Sequence, residues 1–330
     1  MRLARLLAAK LVTGLVMIWV VASAMFFLVL DMPGNPAQAR EAQDILHGMT
    51  PAQAQRETAA MFGFIPKQSL ADQYGHYMWQ LVHFNLGVSI AQEGTPVSHI
   101  VASAFPWTVI LALSGILISF LLGVCLGVLA AIKRSNKVGD TLTVGGAIVN
   151  GIPIFVVALL LFYLFTTIWA LFPQGGNVGI TYTPGFNAGY IGSIITHAVL
   201  PVAAYALALL GAWTLTTKAS VISVLGDDFI LAAELRGLRP FTVARYITRN
   251  AMLPLFTILA IAIGLLFGGS VFIEDVFNYP GLGQLMISSI ATKDYPVMDG
   301  AFLLTIVAVI IATTLADLAY PLIDPRIRRS

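Results

Sequence analysis

Side chains able to do covalent or metal chemistry are few and scattered. The chain has one cysteine, Cys125, and five histidines, at 47, 76, 83, 99 and 197. None of the histidines sits in a local cluster typical of a metal site, so surface or packing roles suit them. A lone thiol closes no intrachain disulfide, and Cys125 lies inside an apolar run, where a small packing role is expected. The sequence contains neither H-E-x-x-H nor G-x-S-x-G, and it lacks the phosphate loop G-x-x-x-x-G-K-[ST]. Zinc proteolysis, serine hydrolysis and ATP binding are therefore not encoded in those forms. The densest reactive stretch is instead a charged one, DDFILAAELRGLRPFTVARYITRN at 227–250. Seven of its 24 residues are charged, against 34 in the whole chain of 330. Its chemistry is that of docking, to a protein or to a charged membrane surface.

Asp227 and Asp228 open this stretch and suit the positive end of a short helix. Phe229, Ala232, Ala233 and Arg236 follow at spacings of three and four, on neighbouring faces. Gly237 permits a left-handed C-cap and a sharp turn. Pro240 can start a second helix over 240–250, with Arg245 and Arg249 one turn apart, and Pro254 is read as the start of the next apolar helix. This helix–turn–helix knuckle is too large for a plain connector, which in bundles usually takes about 2–8 residues. Its small-residue tip, with Ala233 at the contact point, suits a socket on another protein. Its arginines suit anionic lipid heads equally well, and the residues alone do not choose.

The elements that carry the knuckle are membrane helices. Hydrophobic residues make up 58% of the chain, above the roughly 45–50% of a soluble domain. Six runs without Asp, Glu, Lys or Arg lie near 11–30, 105–132, 141–171, 197–217, 251–273 and 301–316 plus a short extension, and a crossing needs about 20 residues. The first run continues past its small residues, which favours an uncleaved anchor over a signal peptide. The fold class expected is an all-α membrane protein with six transmembrane helices. With both termini inside, 14 of the 18 Lys and Arg fall in the cytoplasm, and only Arg40, Arg56, Lys67 and Lys293 lie outside. That bias places the knuckle inside, between spans four and five, and explains the basic clusters without any nucleic-acid partner.

Four segments follow: a cytoplasmic N-terminus at 1–10, a first transmembrane helix at 11–30, an extracytoplasmic segment at 31–104 and a five-span core at 105–330 that includes the loop 218–250. Within 31–104, Thr50 and Pro51 mark a helix start. SLADQYGHYMWQLVHF reads as an amphipathic helix lying on the membrane or on the bundle. Gly123 with Gly127, and Gly264 with Gly268, form G-x-x-x-G pairs that suit close helix packing within the subunit. Pro153 is expected to kink the third run, beside the polar Asn150. Tyr279-Pro280-Gly281 reads as a turn before a short amphipathic helix in the outer segment 275–299, a surface connector or a gate element.

The knuckle resembles the cytoplasmic loop of ABC-importer permeases, whose pattern is E-A-A-x-x-x-G followed by Pro. Ala232, Ala233 and Gly237 match it, while the Glu position falls on Leu231. DMPGNP at 31–36, NLGVSI at 85–90, GVLAAIKRSNKVGD at 127–140, RNAMLP at 249–254, VFNYPGLGQLMISSIATKDYPVMDGA and the terminal DLAYPLIDPRIRR resemble, in order, the dipeptide/oligopeptide/nickel branch, of the dipeptide-permease B type. The resemblance implies a second homologous permease as partner, two cytoplasmic ATPase subunits that bind ATP and Mg, an extracytoplasmic substrate-binding protein, and no cofactor or catalysis in this chain. It implies an inner-membrane location and a coupling site of Asp228, Ala232, Ala233, Glu234, Arg236, Gly237 and Leu238. Candidate pathway or gate residues are Asn150, Pro153, Glu274, Tyr279 and Gly281. Peptides rank first among the branch's substrates, ahead of nickel chelates, glutathione and oligosaccharides. A secondary transporter or channel is the competing class, weakened by span interiors without carboxylates. A membrane enzyme is a third class that no constellation supports.

Overall fold

The computed structural model describes residues 2–31, 35–65, 68–92, 94–264 and 270–323, with backbone alone at 2–7, 234, 240, 253, 264, 317 and 319–323. The described residues are helical, apart from connecting loops and one isolated bridge between Val88 and Pro96. Five helices are long and apolar enough to cross a membrane, and a bent pair, Lys137–Asn150 with Ile154–Ile168, makes a sixth if counted as one span. The chain divides into two compact units, Met1–Trp107 with Pro280–Ile310 and Thr108–Tyr279 with Ile311–Ser330.

The first unit contains α1 (Arg2–Asp31), α2 (Pro36–Leu46), α3 (Pro51–Phe62), α4 (Leu70–Val82) and the start of α5 (Val97–Ile132). Thr50 caps α3 in a reciprocal pair with Gln53, and Pro51 occupies the first turn. Ser69 caps α4 by accepting from the Asp72 backbone N–H. Phe26 of α1 is fully buried in a ring cluster, 5.3 Å from Tyr77, 5.4 Å from Tyr74 and 5.5 Å from Phe64. The Tyr74 and Ser23 hydroxyls bond at 2.8 Å. Helix α4 therefore lies on the bundle through Tyr74, Tyr77, Met78 and Leu81, while Trp79, Val82 and Phe84 stay exposed.

The second unit is organised along a 38-residue helix, α8 (Ala188–Leu225). Packed on it are α6 (Lys137–Asn150), α7 (Ile154–Phe162) and α10 (Pro240–Gly264). Close approach is carried by glycine. A Cβ on Gly123 of α5 would collide with the Trp213 side chain, and one on Gly127 would lie 2.5 Å from Thr217 Cβ. That pair serves packing inside the chain, as expected; Gly268 of the other pair lies outside the described residues. A Cβ on Gly211 would strike the Gly146 carbonyl, so α8 and α6 touch backbone to backbone.

Three expectations change. The third apolar run breaks rather than kinks: α6 and α7 meet at 95°, because Gly151 and Ile152 leave the helix before Pro153, which biases its predecessor away from helical backbone. The separate helix 240–250 and the span 251–273 are replaced by continuous α10, with Pro254 inside it, followed after an undescribed gap by short α11 (Val271–Val276). Cys125 is exposed on α5 instead of packed.

Candidate functional site

The knuckle is built from α9 (Asp228–Leu235) between α8 and α10. Ile230 and Ala233 are 2% and 5% exposed, and they pack with Ala131, Val221, Val224, Val243 and Ala251 of α5, α8 and α10. The helix closes where Gly237, at φ 68°, brings the Leu238 N–H within 3.2 Å of the Ala233 carbonyl. This is a Schellman-type ending, and glycine adopts its left-handed turn residue without strain. Ser220 of α8 donates to the Ala251 carbonyl of α10 at 2.7 Å, bracing the two supporting helices. Lys218, the first residue of the expected loop 218–250, lies within α8 and donates to Thr143 of α6 at 2.6 Å.

The face turned outward differs from the one expected. Ala233 belongs to the knuckle's own core, so it is not the tip: its position two residues after Leu231 rotates it onto the buried stripe with Ile230. Leu231, Ala232, Leu235, Arg236, Gly237 and Leu238 are exposed, as are Asp228 and Phe229. Leu235 stands out at 80% exposure, with Phe241 at 81% just beyond the turn. These two apolar residues escaped the sequence reading; for Leu235 the available signal was its position opposite the Ile230–Ala233 stripe. The Glu234 side chain lies outside the described residues.

The candidate pathway residues separate into two kinds. Asn150 and Pro153 are exposed at the α6–α7 break, where Asn150 ends one helix and Pro153 caps the next. A π-helical turn, Tyr163–Ile168, then extends α7, a feature frequent at functional sites. Glu274 and Tyr279, by contrast, are fully buried, and the Tyr279 N–H donates to the Glu274 carbonyl at 2.7 Å. Burial and then the charge of Glu274 push the Tyr279 hydroxyl up to about 12, so it stays protonated at ordinary pH. Within this chain both residues are interior. Gly281 is buried and precedes α12 (Leu282–Thr292), the short helix expected there.

One polar site was missed. Asp294 is buried before α13 (Tyr295–Ile323), and its carboxylate accepts from Ser89 Oγ at 2.5 Å and from the Ile90 and Ala91 N–H groups at 3.1 Å each. It also faces the Val297 N–H at 3.5 Å, the third position of the helix it starts. Two of the quoted sequence stretches, NLGVSI and the end of the VFNYPG segment, thus meet in space. The signal was Asp followed within two residues by Pro, a helix-start pattern.

Residues 123–329 match the family described as binding-protein-dependent transport system inner membrane component. The chain is 32% identical over 320 residues, 97% of both chains, to a Brucella suis biovar 1 (strain 1330) protein that carries a provisional peptide-permease name. It is 32% identical over 307 residues to the oligopeptide transport system permease protein AppB of Bacillus subtilis (strain 168), covering 92% of each chain. It is 30% identical over 322 residues to the dipeptide transport system permease protein DppB of Escherichia coli (strain K12), again covering 92% of each.

Proposed function

The chain belongs to the family of binding-protein-dependent transport system inner membrane components, and we propose that it is the permease subunit of an ATP-driven importer for di- or oligopeptides. The secondary-transporter and channel reading is set aside by that membership. In the proposed assembly a second homologous permease completes the pathway. Two cytoplasmic ATPases bind ATP and Mg and do the hydrolysis, and an extracytoplasmic binding protein delivers substrate. The peptide class rests on the names of the relatives.

The observation that carries the coupling role is the two-sidedness of α9. Ile230 and Ala233 anchor it to α5, α8 and α10, while Leu231, Ala232, Leu235, Arg236 and Leu238 face outward. A helix so held moves with its supports, and a partner gripping its free face differently in two nucleotide states biases the whole unit. Orientation follows the basic residues: both termini, Lys137 and Arg239 inside, Arg56 and Lys293 outside. At the α6–α7 break, freed backbone groups line a path or are covered by protein, since lipid cannot satisfy them. Asn150 and Pro153 there are the proposed pathway residues, and Glu274, Tyr279 and Gly281 support the gate from within.

The test is uptake of labelled di- and tripeptides into proteoliposomes holding the complete importer. Leu235→Asp, a change on the free face, is expected to leave insertion intact and to abolish ATPase recovery and uptake. Full ATPase recovery and wild-type uptake in that variant would refute the coupling role of α9.

A further inference from the structure

Helix α4 carries three stripes. Successive residues of a helix are about 100° apart around its axis. Tyr74, Tyr77 and Leu81 fall on the side that packs on the bundle, with Met78 at its edge. Asp72, His76 and His83 cluster on the far side within about 40° of arc, and all three are exposed. Between these two sides runs an exposed flank without charge, Ala71, Gly75, Trp79 and Val82, spread over about 80°. Trp79 is 64% exposed and Val82 is 73% exposed. Phe84, just past the helix, is 87% exposed and holds left-handed backbone at φ 56°, uncommon for a bulky residue. An amphipathic helix needs one apolar face to pack on its bundle, and α4 has a second beside it.

Helix α1 sets the depth of this flank. Its stretch Ala8–Asp31, 24 residues long, is apolar enough to cross a membrane. At 1.5 Å per residue it spans about 36 Å, against roughly 30 Å of hydrocarbon. Ser23 precedes Asp31 by eight residues, or about 12 Å, which puts it about 9 Å inside the outer hydrocarbon boundary. The Ser23 and Tyr74 hydroxyls bond at 2.8 Å, and the Phe27 ring stacks on the Tyr74 ring with centroids 6.1 Å apart. Helix α4 therefore lies beside the outer turns of α1, at the membrane boundary. Trp79 is five residues beyond Tyr74, about 7.5 Å along the helix, so it stays close to that boundary. Phe27 is itself 44% exposed, in line with exposed Trp19 and Leu28 of α1. The Phe27–Tyr74 stack thus joins the apolar outer face of a membrane helix directly to α4.

We propose that the Trp79–Val82 flank of α4, with Phe84, is a membrane seat that dips into the outer leaflet where headgroups meet acyl chains. Asp72, His76 and His83 then turn to water, as the polar side of an interfacial helix does. Tryptophan suits this depth, because its ring is apolar and its N–H is polar. The seat fixes the segment after α1 against the lipid surface. It rests on α1 crossing the bilayer and is independent of the transported substrate and of α9.

The test uses the complete importer in nanodiscs of phosphatidylethanolamine and phosphatidylglycerol, in a Cys125→Ala background with partner subunits free of reactive cysteines. Spin labels are attached at Trp79→Cys, Val82→Cys and His76→Cys. Electron paramagnetic resonance then compares collisions with oxygen, which concentrates in hydrocarbon, and with a water-soluble nickel chelate. The ratio of oxygen to chelate collisions is expected to be severalfold higher at 79 and 82 than at 76, and to stay unchanged when the binding protein is added. Chelate preference at both 79 and 82 overturns the proposal, since the flank then faces water. Exclusion of both reagents from 79 and 82 overturns it in favour of a covering protein such as the second permease. Loss of collisions there only on adding the binding protein overturns it in favour of a docking site for that protein. Should Trp79→Cys fail to assemble, the comparison of Val82→Cys with His76→Cys decides alone. Since no transport is measured, failure here leaves the importer reading intact.

Discussion

Replacing Asp294 by Asn probes the clip that joins the 85–96 loop to α13. The carboxylate accepts from three donors, Ser89 Oγ and the N–H groups of Ile90 and Ala91. An amide has one oxygen to offer. If its nitrogen replaces Oδ2, the Ser89 hydroxyl can turn and accept, but the Ala91 N–H is left facing a donor. If it replaces Oδ1, the Ile90 N–H is orphaned instead, together with the longer Val297 N–H contact. At least one part-buried backbone donor loses its partner either way, at about 1–2 kcal/mol, and the remaining bonds lose their charge assistance. We expect a loss of about 2–3 kcal/mol locally, read as exchange at Ile90 and Ala91 accelerated by roughly 30-fold or more. Asp294→Ala, which abandons all three donors, should cost about 3–5 kcal/mol. Ser89→Ala removes one donor and the acceptor of the Gln92 N–H, and should cost about 1–2 kcal/mol. Hydrogen exchange by mass spectrometry on the purified chain in nanodiscs separates the three. Exchange at residues 90–91 unchanged within twofold in Asp294→Asn would refute the clip.

Further outcomes follow from the same packing. Gly87 has φ 84°, and a Cβ there collides with the Met61 carbonyl, so Gly87→Ala should destabilise the first unit by about 2 kcal/mol or more, seen as reduced chain in the membrane fraction. Ile230→Ala empties the knuckle core, at a cost of about 2–4 kcal/mol; proteolysis between 226 and 239 should quicken, whereas Leu231→Ala on the free face should leave it unchanged. In a Cys125→Ala background, single cysteines at 137 and 239 should react only with reagents that reach the cytoplasm, and those at 56 and 293 with impermeant reagents from outside; outside labelling at 239 would overturn the orientation.

Composition and local pattern made some of this fold legible. Charge-free runs marked the long apolar helices, though the third breaks and the fifth begins earlier than its run; Thr50 and Pro51 marked the start of α3, and Gly237 marked the turn after α9. What stayed hidden depends on contacts distant in sequence. Asp294 and Ser89 are 205 residues apart, and neither residue type announces the other. Pro254 suggested a helix start, yet it lies inside α10, a span where neighbouring helices can accommodate the lost N–H. Ala233 matched the motif and was read as a tip. Its burial is set by Val221, Val224 and Val243 on two other helices, which no window around residue 233 contains. The grouping of Pro280–Ile310 with the N-terminal segment is likewise invisible in chain order.

The central claim is that the exposed face of α9 meets an ATPase and moves with its nucleotide state. The direct measurement is cysteine cross-linking from Leu235→Cys, in a Cys125→Ala background, in membranes holding the complete importer. The account predicts a cross-link to the ATPase partner, with a yield that changes when ATP is trapped, since Leu235 is 80% exposed at the free end of an anchored helix. An absent ATPase cross-link with peptide uptake intact, or reaction of Leu235→Cys only with reagents confined to the outside, would contradict it.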